Sequence, residues 1–119
     1  MKRRNLLFII CIFLPLIGYA QTISLEGNWR FKLDPEDMGT SEQWHSKTLS
    51  DEISLPGSCE EQGYGVKNIK ADMERLTRDV AYEGKAWYQK DFEVPASWNG
   101  KHVELFLERC HWESNVWID

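Results

Sequence analysis

Cysteine is scarce: three occur in 119 residues, and Cys11 sits in an apolar leader, which leaves Cys59 and Cys110. Two cysteines cannot build the dense cross-linking that very small secreted domains rely on. They leave two readings open, one Cys59 to Cys110 disulfide or two unpaired cysteines in a core. As a metal site the pair is under-ligated, and His45, His102 and His111 add no compact three-ligand pattern, so no metal is expected. The sequence also has no Gly-x-Ser-x-Gly elbow, no phosphate-binding glycine loop and no paired CxxC motif. No cofactor is expected in this chain, and the cofactors of any longer parent stay unknown.

Positive charge is also in short supply, and most of its local density lies at the start. MKRRN is followed by the apolar run LLFIICIFLPLI, and Gly18 and Ala20 put small residues at positions three and one before a cut ahead of Gln21. That pattern reads as a secretory signal peptide over residues 1 to 20, with an uncleaved anchor as the alternative. The apolar run is short for a bilayer span, and Cys11 follows Ile10 rather than a small residue, which argues against lipid modification there. Losing Lys2, Arg3 and Arg4 takes the 14 basic residues to 11 against 19 acidic, a formal charge of −8 for residues 21 to 119. Such a surface repels nucleic acid, and no basic stripe offsets it. The expectation is an exported domain, periplasmic or extracellular, with no membrane contact after signal cleavage.

What is present is strand-like alternation. In SLEGNWRFKL, Leu25, Trp29, Phe31 and Leu33 share one parity while Arg30 and Lys32 take the other, the mark of a half-buried strand. Asp34 to Gly39 reads as a turn, and Glu52 to Pro56 as a brief extended piece halted by proline. GSCEEQGYGV, from Gly57 to Val66, reads as a loop, and Lys70 to Val80 as either loop or a short helix with Met73, Leu76 and Val80 inward. In AWYQKDFEVPASW, Tyr88, Phe92 and Val94 form one apolar face and Trp87 takes an edge or pocket. Asn99-Gly100 marks a turn, HVELFLERC a further strand with Val103, Leu105 and Leu107 inward, and NVWID the start of another. The NVWID strand lacks a return strand in this sequence, so the chain reads as interrupted there. Several short strands between Gly, Pro and Asn turns predict an all-β sandwich or barrel.

Taken in order, SLEGNWRFKLDP, the LPG at Leu55 to Gly57, and GKAWYQKDFEVPASWNGKHVELFLERCHWESNVWID resemble the N-terminal sugar-binding domain of glycoside hydrolase family 2, the beta-galactosidase and beta-glucuronidase group. The resemblance implies a jelly-roll, galactose-binding-like β-sandwich over residues 21 to 119, incomplete at its C-terminus. It implies carbohydrate as a partner, and further immunoglobulin-like and barrel domains of the same parent chain. Family chemistry is retaining hydrolysis by two barrel carboxylates roughly 5 Å apart. No motif here matches either, so no catalytic residue is assigned; Glu60-Glu61 reads as a solvated loop edge, and the parent rather than this portion is the retaining glycosidase.

By similarity, the loop from Gly57 through Asn68 approaches the sugar pocket. Tyr64 could cover a sugar's apolar face and Asn68 could match its hydroxyls, against loop packing and a polar turn as the alternatives. Trp87 and Trp112 are the other pocket candidates, lining a cleft or an interdomain surface. Trp29, Phe92 and Trp98 are assigned to packing, and Arg109 to a local carboxylate or a tie between strands. The functional expectation is a non-catalytic sugar-binding and scaffold portion of a secreted glycosidase, with an independent carbohydrate-binding or interaction module as the alternative.

Overall fold

A computed structural model describes residues 21–67, 78–110 and 112–119. Residues 1–20, expected to be a signal peptide, Asn68, most of the possible helix after Lys70, and His111 lie outside the described residues. Five strands appear: β1 (Gly27–Asp34), β2 (Asp51–Leu55), β3 (Val66–Lys67), β4 (Val80–Ala81) and β5 (Lys85–Gln89). They form a three-stranded antiparallel sheet in the order β2-β1-β5 and a two-stranded antiparallel pair β3-β4. Two short 3₁₀ turns, Trp44–Ser46 and Ala96–Trp98, complete the described elements. The domain is all-β, as its alternating sequence predicts.

The register of β1 explains where the core forms. Trp29 pairs with Ile53, Phe31 with Asp51 and Tyr88, and Leu33 with Ala86, so one sheet face gathers the apolar side chains. Phe31 is 0% exposed and Ile53 2%. The Phe31 ring meets Tyr64 at 4.7 Å and Tyr88 at 5.0 Å, tilted in both cases, an arrangement that favours aromatic pairs. On the other face Asn28, Arg30, Lys32 and Asp34 line up with Ser54, Glu52, Gln89, Trp87 and Lys85. Period-two alternation thus separates an apolar side from a side that carries charge.

The outer edge of β2 is covered by side chains of the following loop. The Gln62 amide accepts from Ser54 N at 2.8 Å and donates to Ser54 O at 2.8 Å, as a neighbouring strand would. Tyr64 Oη donates to Glu52 O at 2.6 Å, two residues along the same edge. Satisfying these outward backbone groups removes a template for unwanted pairing. The Asn99-Gly100 turn forms as the sequence predicts: Lys101 N donates to Trp98 O at 2.9 Å, with Asn99 extended and Gly100 at φ 73°, a type II geometry that glycine enters without steric cost.

Three expectations are corrected. β5 ends at Gln89, and Phe92 is 48% exposed, so its ring is not a core ring among the described residues. His102–Leu107 forms no strand, and Val103, Leu105 and Leu107 are all exposed. The NVWID segment also forms no strand. The common reason is that alternation specifies which face of a strand is apolar, whereas a ladder also needs a neighbour, and no described strand lies alongside these segments.

Candidate functional site

The charge-bearing face of the sheet is organised around Asp34, which is only 2% exposed. It closes β1, and its carboxylate turns back on the following turn, accepting from Met38 N through Oδ1 and from Gly39 N through Oδ2, both at 2.8 Å. A third donor arrives from β5, where Trp87 Nε1 lies 3.0 Å from Oδ2. Burial alone would raise the Asp34 pKa, but the bonds from Trp87, Gly39 and Met38 and the nearby Lys85 charge outweigh it and hold the carboxyl below its ordinary value. Trp87 reaches this position because residue 39 is glycine: a Cβ there would stand 2.1 Å from Trp87 Nε1.

Around this anchor the aromatics collect. Trp44 and Trp87 are tilted at 6.1 Å, and Lys32 Nζ lies 3.8 Å from the Trp44 ring centroid. Trp117 stacks on Trp87 at 5.0 Å and on the His45 ring at 5.4 Å, the latter with planes only 5° apart. His45 Nδ1 is buried and lacks a hydrogen-bond partner among the described residues. Two small clefts open nearby. One, of about 150 Å3, is bordered by Lys32, Trp44, Lys47 and Thr48. The other, of about 220 Å3, is bordered by Asn28, Arg30, Glu52, Gln89 and Asp91.

The sequence candidates fall in different places. Trp87 joins the aromatic cluster. Tyr64 sits across the sheet on Phe31, with its hydroxyl committed to β2. Trp112 is 94% exposed, and Asn68 lies outside the described residues. The structure therefore does not bring Tyr64, Trp87 and Trp112 together. Trp29 and Trp98 are half-buried, donating to Leu25 O and Gln21 Oε1 at 2.7 Å each. Arg109 Nε lies 3.4 Å from Glu108 Oε1 on an exposed turn.

Cys59 and Cys110 are both free, and Cys110 is exposed, so neither a disulfide nor a pair of core cysteines describes them here. Burial, with Glu60 beside it, raises the Cys59 thiol. Glu60 is held below the ordinary carboxylate value by its own backbone N–H, against a smaller opposing effect of burial, and by Cys59 and Arg78, whose guanidinium is 2.8 Å away. A lowered carboxyl is ionised at neutral pH and cannot serve as a proton donor, which removes Glu60 and Asp34 as general acids. Lys32, Asp34, Trp44, His45 and Trp117 are not among the pocket candidates that the sequence offers. The Asp34 to Gly39 turn was the available signal, because a buried turn-starting aspartate next to a glycine places a carboxylate against whatever packs there.

Fold and site define a small antiparallel β domain that presents aromatic and polar side chains on one sheet face. Residues 22–119 match the glycosyl hydrolases family 2 sugar binding domain, and the chain belongs to that family. It is 34% identical over 99 residues to a beta-glucuronidase of Paenibacillus borealis, a stretch that covers 80% of this chain and 14% of that protein. The chain thus spans a small part of the relative's length. No solved structure matches the chain.

Proposed function

We propose that this chain is the non-catalytic, sugar-binding and scaffold portion of a secreted glycoside hydrolase that cleaves O-glycosyl bonds. The carrying observation is the match of residues 22–119 to a sugar binding domain. The aromatic and hydrogen-bonding groups on the Trp87 face are of the kinds that recognise sugars. A jelly-roll completed by further strands accounts for the alternation in HVELFLERC and NVWID. Exposed Val103, Leu105, Phe106 and Ile118 suit a surface covered by downstream immunoglobulin-like and barrel domains, where the two catalytic carboxylates belong. Export is supported by the basic start, apolar run and small residues within Met1 to Ala20. The name of the relative favours a beta-glucuronide as the parent's substrate, with a beta-galactoside as the second choice within the family.

The test pairs the intact mass of the native secreted polypeptide with binding and hydrolysis assays on the chain of residues 21–119. The expected outcome is a mass well above that of residues 21–119, saturable glycan binding by the short chain, and no glycoside cleavage by it. Cleavage by the short chain would overturn the non-catalytic assignment. A secreted mass equal to residues 21–119, with glycan binding retained, would replace it by an independent carbohydrate-binding module.

A further inference from the structure

We propose that the cleft between Glu52, Arg30 and Asn28 is a subsite for an uncharged sugar ring; this rests on the carbohydrate-binding reading above and assigns the class of sugar and the residues that hold it. The cleft occupies about 220 Å3 on the charge-bearing face of the sheet, with Trp29 and Lys90 also at its border. Arg30 borders it and is tied at two points. Its Nε donates to Gln89 Oε1 and its Nη2 to Asp91 Oδ1, each at 2.8 Å. Gln89 is itself fixed, since its Nε2 donates to Lys47 O at 3.1 Å and its Oε1 also accepts from Leu49 N at 3.3 Å. The guanidinium is therefore oriented before any ligand arrives, with further N–H groups beyond those two bonds.

On the other side of β1, Glu52 is the register partner of Arg30, yet no ion pair joins them. Among the described residues the Glu52 carboxylate and the Asn28 side-chain amide have no hydrogen-bond partner. A fixed donor thus faces a free acceptor across a small cleft, with an amide able to do either beside them. A sugar hydroxyl donates one hydrogen bond and accepts others, so adjacent hydroxyls of one ring satisfy all three groups together. The charges decide against an acidic sugar. Glu52 and Asp91 both border the cleft; Asp91 already pairs with the Arg30 guanidinium, and the Lys90 ammonium, also at the border, is turned onto Asn28 O at 2.8 Å and Glu26 O at 3.4 Å, so a uronate carboxylate would find no unpaired cation to offset Glu52. This subsite serves a neutral ring, separately from any acidic ring handled elsewhere in a parent enzyme.

The experiment is an amide chemical-shift titration of the protein with lactose, cellobiose and glucuronic acid, repeated on Asn28→Ala and Glu52→Gln. Both side chains are exposed and unbonded, so an unchanged spectrum without sugar verifies that the variants keep the fold. The expected result is saturable shifts at residues 28–30, 52–54 and 89–91 with a neutral disaccharide, and affinity about tenfold weaker in each variant, as loss of a hydrogen bond to a charged or polar group dictates. Binding that maps elsewhere, or that is as tight in both variants as in the wild type, overturns this subsite while leaving the carbohydrate reading intact. Preference for glucuronic acid at this cleft overturns the neutral class. Absence of binding to every sugar overturns both.

Discussion

The Trp87 indole N–H donates to Asp34 Oδ2 at 3.0 Å, joining β5 to the end of β1 through a carboxylate that also organises the turn after it. Replacing Asp34 by Ala leaves the N–H groups of Trp87, Met38 and Gly39 without their acceptor. The expected cost is about 1–3 kcal/mol of folding stability, from the penalty of burying unmatched donors. Urea denaturation of the two proteins measures it, and superimposable curves would refute the anchoring role.

Acid should act on the same carboxylate. Its pKa is lower in the folded protein than the ordinary value of 3.8. A depressed carboxyl contributes stability that is present above its unfolded pKa and is lost as pH falls through the folded one. Unfolding midpoints followed from pH 6 down to pH 2 should therefore fall more steeply in the wild type than in Asp34→Asn, which has no proton to gain. Parallel curves would show that the depression does not stabilise the fold.

Gly39 supplies space, and the prediction for it is steric. With a Cβ only 2.1 Å from Trp87 Nε1, Gly39→Ala must push the indole off Asp34 or shift the turn. Overpacking of this kind costs about 1–3 kcal/mol. Because Trp87 stacks on Trp117, the substitution should also change tryptophan fluorescence, which an ordinary exposed glycine-to-alanine change would not.

Phe31 and Phe92 separate core from surface. Phe31→Ala removes a fully buried ring and should destabilise by about 3–5 kcal/mol, whereas Phe92→Ala, at a residue 48% exposed, should cost far less. Equal losses in thermal or denaturant unfolding would contradict the placement of the core on the Trp29 to Leu33 face.

The difference between these two phenylalanines also marks how much was legible in the sequence. β1, β2, the 57–66 loop and the Asn99-Gly100 turn follow from parity and turn chemistry, which are local. Phe92, Leu105 and Ile118 carry the same local signal but lie outside any described ladder, because pairing depends on a neighbour that alternation does not name. For the site, Trp87 was legible as an aromatic of the polar parity. Its contacts with Asp34, Gly39 and Trp117 were not, since they join positions 30 to 53 residues apart through side chains alone. Tyr64 shows the reverse ambiguity: a glycine-rich loop aromatic reads either as a sugar contact or as loop packing, and only the fold shows its ring on Phe31 and its hydroxyl on Glu52 O at the β2 edge.

Tyr88 offers a check on the apolar face that needs no denaturant. Partial burial over Phe31, with Cys59 and Glu60 nearby, pushes its phenol up to about 12 from an ordinary 10.0. A raised phenol pKa means that the folded state favours the neutral form, so its contribution to stability is whole below pH 10 and is lost as pH rises through about 12. Ultraviolet titration of the tyrosines should show a late-ionising component that is missing in Tyr88→Phe. Stability measured between pH 9 and pH 12 should decline more in the wild type than in that variant, because only the wild type has an unfolded phenol that ionises ahead of the folded one. If Tyr88 ionises with the freely exposed tyrosines, its ring does not lie against Phe31 as described, and the apolar face at the β1 to β5 junction is open to water.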